Sequence, residues 1–255
     1  MALIEGVDVE HRGSGPDLVI LHSLLAERSA FERVAPALSK KRRVWLVNLP
    51  GYGASRPGGT SVEDYADRIE ALVRNLKLEK ADVLGNGFGG FIAVALAARH
   101  GALVRRLIAA PALAAFPELA KQPLRGLAER VAKEGMSGAL EVAIRRMFPE
   151  RFIAANPSVV EERRQALMKA DPACFSTACL ALASLDLSPI LKSITSETLV
   201  MAGSEDATTP PALARELAAK IPKAKFRELH GCGHCPQIEN PALFVQVLEE
   251  FLSRA

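Results

Sequence analysis

The chain has 255 residues and a net charge of +3, and 49% of its residues are hydrophobic and 24% charged. These values are typical of a globular protein with one large domain or two small ones, and they exclude a disordered or fibrous chain. Basic residues are mixed with acidic ones, so no strong positive field attracts nucleic acid. The longest apolar stretch, residues 87–98, is too short to cross a bilayer, and the first residues do not form a signal peptide. We therefore expect a soluble cytoplasmic protein with neither a membrane nor a nucleic acid as partner, in which the four cysteines are reduced thiols.

The first 110 residues alternate between strand and helix patterns. The β-rich runs on either side of the turn residues 13–16 predict a hairpin. Ser61 followed by Asp64 is a capping pattern that predicts the start of a helix. Alternation of this kind predicts a parallel sheet covered by helices on both faces. The predicted strands are residues 3–9, 18–22, 43–48, 81–84 and 104–109, and the predicted helices cover 30–38, a segment from Ser61 to about Leu76, and a small-residue segment ending near Arg99.

A helical segment interrupts this alternation. Between Pro111 and Asp186 no β run occurs, and short amphipathic helices are predicted to start at Leu124, Ser137, Ser158 and Ala173. The sheet then resumes with strands 197–202 and 225–229 and helices 212–220 and 241–252, the last capped by Asn240. We therefore predict an α/β fold whose core comprises residues 1–110 and 186–255, with residues 111–185 forming an inserted helical cap.

The turn after strand 81–84 is rich in glycine. Its sequence, Gly-Asn-Gly-Phe-Gly-Gly over residues 85–90, joins a strand directly to a helix with the spacing of a nucleophile elbow. The central residue of such a turn is normally Ser, Cys or Asp, whereas here it is Gly87. The same glycines match a dinucleotide-binding fingerprint, but that motif follows the first strand and has an acidic residue about 20 positions later. Here several strands precede the turn and only Arg105 and Arg106 stand at that distance, so nucleotide binding is the weaker interpretation.

Two further residues are predicted to lie at the same edge of the sheet as Gly87. Asp206 follows the strand at 197–202, and His234 follows the strand at 225–229. Parallel strands bring their carboxyl ends to one edge, where α/β proteins place their sites. The chain order of elbow, acid and histidine is the order of the α/β-hydrolase catalytic triad.

With these residues in place, the chain resembles the α/β-hydrolase superfamily over its full length. His22-Ser23-Leu24 stands where the family has a His-Gly oxyanion loop, residues 48–55 stand where it has Asp-x-Pro-Gly-x-Gly-x-Ser, and Gly233-His234-x-Pro236 surrounds the histidine. The Leu-Ser-Pro at 187–189 and the segments 203–211 and 231–241 look most like the branch of 3-oxoadipate enol-lactonases and carbon–carbon bond hydrolases.

The resemblance implies hydrolysis of an ester, a lactone or a carbon–carbon bond of a small carboxylic substrate, without a cofactor. It implies His234 as general base, Asp206 as the residue that orients it, and the backbone N–H groups of Phe88 and Leu24 as the oxyanion hole. Gly87 has no oxygen that could be acylated, so a covalent step at this position is excluded. The oligomeric state stays open, with a homo-oligomer among the options.

Three interpretations of Gly87 compete. His234 could activate a water molecule held in the space left by the missing hydroxymethyl group. The protein could instead be a catalytically silent ligand-binding member of the fold, or a serine hydrolase inactivated by an engineered Ser-to-Gly change. Ser23 is conceivable as a replacement nucleophile, although its simpler role is that of a small residue in a turning loop. His22 is interpreted as an accessory, packed loop residue rather than as a base.

The cysteines and the cap arginines offer further alternatives. Cys232-Gly233-His234-Cys235 is similar to the redox centre of disulfide isomerases, and His230 adds a third potential zinc ligand. This segment runs into Pro236 after the last strand instead of opening a helix, and a structural zinc site usually has two separated ligand pairs, so we predict neither redox chemistry nor a metal. The arginines of the predicted cap are interleaved with glutamates as on solvated helices, and any one of them is a candidate to face a substrate carboxylate.

Overall fold

A computed structural model of the chain describes residues 2–253. Its centre is an eight-stranded sheet with the spatial order β1-β2-β4-β3-β5-β6-β7-β8. The α/β fold predicted from the alternating pattern is thereby confirmed. The strands are β1 (Ala2–Ile4), β2 (Val7–Arg12), β3 (Asp17–Leu21), β4 (Arg43–Val47), β5 (Ala81–Gly85), β6 (Val104–Ala109), β7 (Glu197–Gly203) and β8 (Ala224–Leu229).

The sheet is parallel from β3 to β8 and antiparallel at its N-terminal edge. β1 pairs with β2, and β2 pairs with β4, both antiparallel, while all later pairings are parallel. The predicted hairpin between residues 3–9 and 18–22 is therefore wrong. β4 lies between β2 and β3 in the sheet, and the hairpin is formed instead by β1 and β2 around the turn at Glu5 and Gly6. A local turn signal shows that the chain changes direction, but it does not show which strands pair with each other in the sheet.

Helices cover both faces of the sheet, and the α-helices are numbered here in chain order. The predicted helix at 30–38 is a 3-10 turn, residues 28–31, followed by a single helical turn, because a helix tolerates Pro36 only in its first turn. The helices outside the segment between β6 and β7 are α1 (Ala35–Leu38), α2 (Val62–Asn75), α3 (Phe88–Arg99), α9 (Pro211–Lys220), α10 (Pro236–Glu239) and α11 (Pro241–Leu252).

The two predicted helix caps are present. Ser61 Oγ accepts the N–H of Asp64 at 3.1 Å, and the Asp64 carboxylate accepts the N–H of Ser61 at 3.1 Å. Asn240 Oδ1 accepts the N–H of Leu243 at 3.1 Å. Each cap satisfies N–H groups that have no partner within the helix, and so fixes where α2 and α11 begin.

Between β6 and β7 the chain is almost entirely helical. Apart from a single β-bridge between Ala115 and Asp186, no strand occurs there. This segment contains α4 (Glu118–Glu134), α5 (Leu140–Met147), α6 (Glu150–Ala155), α7 (Pro157–Leu167) and α8 (Pro172–Ser184). Within residues 2–253, no helix is both long and apolar enough to span a membrane.

Candidate active site

Asp206 and His234 form a buried pair in the loops that follow β7 and β8. His234 Nδ1 lies 2.9 Å from Asp206 Oδ2, and both residues are 3% exposed. The imidazole Nδ1–H donates to the carboxylate, which leaves Nε2 with its lone pair. Sequence reasoning placed both residues at this edge of the sheet, and the structure brings them into contact.

The loop that carries Asp206 holds the carboxylate through its own backbone. Asp206 Oδ1 accepts the N–H groups of Thr208 at 2.8 Å and Thr209 at 2.9 Å. The Thr209 hydroxyl donates to Asp206 Oδ2, the oxygen that faces the histidine. These three bonds fix the rotamer of the aspartate. Neither threonine was predicted from the sequence, although an aspartate two and three residues before such groups is a common turn pattern.

Asn86, one residue before Gly87, ties the elbow to the histidine loop. Its Nδ2 donates to the carbonyl of His234 at 3.0 Å, and its Oδ1 accepts from Gln237 Nε2 at 3.1 Å. Asn86 is completely buried. The His234 N–H donates to the carbonyl of Met147, at the end of α5, at 3.2 Å. The backbone of His234 is thus held both by the elbow and by the end of α5.

Glu239 supports the same loop from the other side. Its carboxylate accepts the N–H of Gly233 at 2.8 Å and the N–H of Cys235 at 3.1 Å, the two neighbours of His234. Burial raises the pKa of Glu239 from its ordinary value of 4.5 to about 7, although the two N–H donors act in the opposite direction. The carboxyl group therefore ionises near neutral pH in the folded protein.

The raised pKa of Glu239 makes the stability of the fold depend on pH. A carboxyl whose pKa is higher in the folded than in the unfolded state stabilises the fold below pH 4.5, and this contribution is lost as the pH rises through about 7. A full change from 4.5 to about 7 corresponds to about 3 kcal/mol, and partial exposure reduces it to roughly 1–2 kcal/mol. We expect the free energy of unfolding to fall by that much more between pH 5 and pH 8 in the native protein than in Glu239→Gln.

Urea unfolding at both pH values measures this difference. Glu216→Gln, which changes an exposed glutamate of α9, is the matched control and should keep the pH dependence of the native protein. Equal pH dependence in the native protein and Glu239→Gln would show that this carboxyl does not titrate in the window.

Gly87 lies at the turn between β5 and α3 with the backbone of an elbow. Its φ is 52° and its ψ is −116°, a conformation that costs other residues about 1–3 kcal/mol. A Cβ at this position would lie 2.6 Å from Ser23 Oγ and 2.8 Å from His234 Nε2. These distances are shorter than van der Waals contact, so Ser23 and His234 occupy the space that an elbow side chain would need.

Ser23 and His22 lie in the loop after β3. Ser23 is 1% exposed, and its Oγ lies 3.5 Å from His234 Nε2. His22 does not face the cavity as a base: the N–H of Leu49 donates to its Nε2 at 2.9 Å, and its Nδ1 lies 2.8 Å from the Ser23 carbonyl. Burial lowers the pKa of His22 to about 4, so the ring is neutral and positions the Ser23 loop.

The predicted oxyanion groups line the same cavity. Phe88 is the first residue of α3, and Leu24 follows Ser23. Within residues 2–253, neither backbone N–H has an acceptor. Two unoccupied N–H groups, one of them at a helix N-terminus, are suited to receive a developing negative charge.

The cavity at these residues is small and mostly apolar. It leaves about 30 Å³ for the centres of water molecules, which is enough for one or two. A second cleft, of about 260 Å³ by the same measure, shares four of its lining residues. The cavity is lined by Ser23, Leu24, Leu25, Gly87, Phe88, Phe91, Phe116, Leu124, Arg146, Leu182, Thr208, Thr209 and His234.

Among the arginines between β6 and β7, Arg146 lines the cavity. It lines both the cavity and the second cleft, and burial lowers its pKa. Its guanidinium has no hydrogen bond or carboxylate partner among residues 2–253, whereas the neighbouring Arg145 pairs with Glu150. The sequence pattern could not single out Arg146, because its orientation depends on the packing of α5.

The cysteines beside His234 are buried thiols. Cys232 and Cys235 are free, and burial raises the pKa of both, to about 11 for Cys232. A reactive dithiol requires a lowered pKa, so the environment opposes redox use. In the described part of the chain, no cluster of three or more His, Cys, Asp or Glu side chains is arranged to hold a metal ion.

Comparison with known proteins gives the family. The model of the "Alpha/beta hydrolase family" matches residues 18–247. The chain belongs to the α/β-hydrolase family. Because the chain belongs to this family, residues 85–90 are better interpreted as a nucleophile elbow than as a dinucleotide-binding fingerprint.

Relatives of this α/β-hydrolase include several hydrolases. A pimeloyl-[acyl-carrier protein] methyl ester esterase from Chromobacterium violaceum is 31% identical, with 96% of this chain and 97% of the relative covered. A 2-hydroxymuconate semialdehyde hydrolase from Pseudomonas sp. is 29% identical, over 95% of this chain and 89% of the relative. The crystal structure of the enol-lactonase from Burkholderia xenovorans LB400 has a TM-score of 0.90 at 27% identity and covers 97% of this chain and 96% of the lactonase.

Proposed function

We propose that this α/β-hydrolase cleaves an ester, a lactone or an activated carbon–carbon bond of a small carboxylic substrate, with His234 as general base. One observation carries the proposal. His234 Nδ1 is bonded to Asp206, while Nε2 faces the cavity beside Gly87. A base oriented in this way, beside a small and mostly apolar cavity, can take a proton from an attacking oxygen.

The surrounding groups support acyl transfer to water. His234 takes the proton of the attacking hydroxyl, and the N–H groups of Phe88 and Leu24 stabilise the oxyanion that forms on the substrate carbonyl. The protonated histidine then returns its proton to the leaving group as the bond to the carbonyl carbon breaks. Asp206 stabilises the imidazolium between these two steps.

Arg146 supports an acid as the substrate. An unpaired, partly buried guanidinium is costly unless an anion compensates it. A carboxylate at the junction of cavity and cleft would form a charge-assisted pair with Arg146 and leave the scissile bond beside His234. We assign residues 111–185 the role of a cap that encloses this substrate.

The test is ester hydrolysis by the native protein and by His234→Ala. The mono-p-nitrophenyl ester of glutaric acid and p-nitrophenyl valerate have equal chain length and differ by one carboxylate. We expect both to be hydrolysed, the acidic ester with the lower KM, and His234→Ala to lower kcat at least about a hundredfold. Arg146→Gln should raise the KM of the acidic ester alone.

Matched variants separate the alternatives. Arg164→Gln changes a cap arginine that pairs with Glu141 and should leave both KM values unchanged. An absence of turnover on this pair and on a lactone panel, together with ligand binding, would identify the silent binding protein instead. Turnover that is unchanged in His234→Ala would remove the histidine from the reaction.

A further inference from the structure

We propose that Ser23 is the nucleophile of this protein, so that the hydroxyl missing from the elbow is supplied by the neighbouring loop. This inference rests on the proposed function, because it names the group from which His234 takes the proton. It replaces direct attack by water with a covalent acyl-enzyme on Ser23.

The first support is the position of the hydroxyl. A Cβ built on Gly87 would lie 2.6 Å from Ser23 Oγ and 3.1 Å from Ser23 Cβ. The Ser23 hydroxyl therefore lies next to the point where the side chain of an elbow serine would begin. A side chain at residue 87 and the observed position of Ser23 exclude each other sterically.

The second support is the hydrogen bonding of the hydroxyls around the cavity. Thr208 Oγ1 donates to the Arg146 carbonyl at 3.0 Å, and Thr209 Oγ1 donates to Asp206. Ser23 Oγ is 3.5 Å from His234 Nε2. Distances between nucleophile and base are often this long before substrate binds and shorten in the complex. Among the described residues that line the cavity, Ser23 is the one whose hydroxyl faces the free nitrogen of the base.

The third support is the way the loop is fixed. The Ser23 carbonyl accepts the N–H of Ala26 at 3.1 Å and is 2.8 Å from His22 Nδ1. The N–H of Leu25 approaches Ser23 Oγ at 3.5 Å, where it would stabilise negative charge on that oxygen. The backbone is thus held rigidly while the side chain remains directed toward His234, as a positioned nucleophile requires.

The reaction balances with water as the second substrate. Ser23 Oγ forms a bond to the carbonyl carbon as its proton passes to His234 Nε2. The bond from the carbonyl carbon to the leaving group then breaks, and the leaving group takes the proton from the imidazolium. Water attacks the acyl-serine ester and gives a proton to His234, which returns it to Ser23 Oγ as the acid is released.

Labelling with diisopropyl fluorophosphate tests the nucleophile without a substrate. Intact mass and peptide mapping of the native protein should show one adduct, on Ser23. The adduct should be absent from Ser23→Ala and from His234→Ala, and Ser23→Ala should lower kcat on the p-nitrophenyl esters at least about a hundredfold. Ser196→Ala removes a buried serine whose Oγ donates to the Val104 carbonyl, and it should label and turn over normally.

A double variant that places a serine at the elbow instead of in the loop shows whether Ser23→Ala loses activity because the nucleophile is missing or because the protein is misfolded. In the double variant Ser23→Ala, Gly87→Ser the clash with Ser23 Oγ is removed, and the His234 ring has only to move back from its 2.8 Å contact with the new Cβ. The adduct should then return, now on residue 87. Ser23→Ala removes few contacts, so its thermal unfolding should match that of the native protein.

The outcomes distinguish this inference from the proposed function. A native protein that hydrolyses the esters but is not labelled, or a Ser23→Ala variant with full turnover, shows direct attack by water and overturns the role of Ser23. Labelling of Ser23 without turnover of any ester or lactone supports the nucleophile and contradicts the proposed function.

Discussion

Asp206→Asn is expected to lower kcat for ester hydrolysis by about 10⁴-fold and to leave the fold intact. Asp206 Oδ2 accepts the Nδ1–H of His234 at 2.9 Å. An asparagine that places its amide NH₂ toward the ring donates instead, which moves the ring proton to Nε2 and removes the lone pair that acts as base. The remaining activity would come from the oxyanion groups and substrate binding alone. Steady-state kinetics on the two p-nitrophenyl esters measures the loss.

A second aspartate–histidine pair provides the control. Asp67 Oδ1 lies 2.7 Å from His100 Nε2, at the end of α3 opposite to Gly87. Asp67→Asn makes the same chemical change at a partly exposed pair far from the cavity and should leave kcat within a factor of two. If Asp206→Asn keeps more than a tenth of the native kcat, the tautomer of His234 is not set by Asp206 and the proposed base is wrong.

Gly203→Ala is expected to destabilise the fold by about 3 kcal/mol or more. Gly203 is the last residue of β7, where the loops carrying Asp206 and His234 meet. An added Cβ would lie 2.2 Å from the carbonyl oxygens of both Cys232 and Gly233. These are backbone atoms of the histidine loop, so no side chain can move aside to relieve the overlap. The loops must separate, which also displaces the aspartate from the ring.

Thermal and urea unfolding measure this effect. For a domain of this size, 3 kcal/mol corresponds to a decrease in Tm of roughly 6–12 °C. Gly126→Ala is the matched control, since a Cβ on this exposed residue of α4 meets nothing within 4 Å. Alanine in the middle of a helix should be neutral or stabilise by up to about 1 kcal/mol. Equal stability of the two variants would contradict the close approach of the loops at Gly203.

The fold could be predicted from local signals wherever the chain alternates regularly. The strands at 43–47, 81–85 and 104–109 lie where apolar runs bounded by turns predicted them. The edge of the sheet could not be predicted in this way. The insertion of β4 between β2 and β3 depends on which strand packs best against the core, and no turn residue encodes that choice.

Some residues of the candidate site could be predicted from the sequence and others could not. Asp206 and His234 could be located because both follow predicted strands, whose carboxyl ends must meet at one edge. Asn86 was missed because its role depends on a contact with His234, which is distant in sequence. Glu239 and the two threonines contact residues only two to six positions away, but the same local spacings also occur in ordinary turns, so the sequence did not single them out. The distance between Ser23 Oγ and His234 Nε2 depends on how closely two loops approach across Gly87, and the sequence carries no measure of that approach.

The two carbonyl groups at the end of α5 bear on how a substrate could enter. The carbonyl of Arg146 accepts the Thr208 hydroxyl, and the carbonyl of Met147 accepts the His234 N–H. α5 is thereby fastened to both loops of the acid–base pair, whereas residues 118–134 of α4 make no hydrogen bond to either loop within the described chain. Lifting α5 would disturb the pair at the moment of binding. An entrance that opens by movement of α4 would leave Asp206 and His234 in place. Substrate entry and catalysis would then depend on different helices of the same segment, α4 for entry and α5 for the acid–base pair.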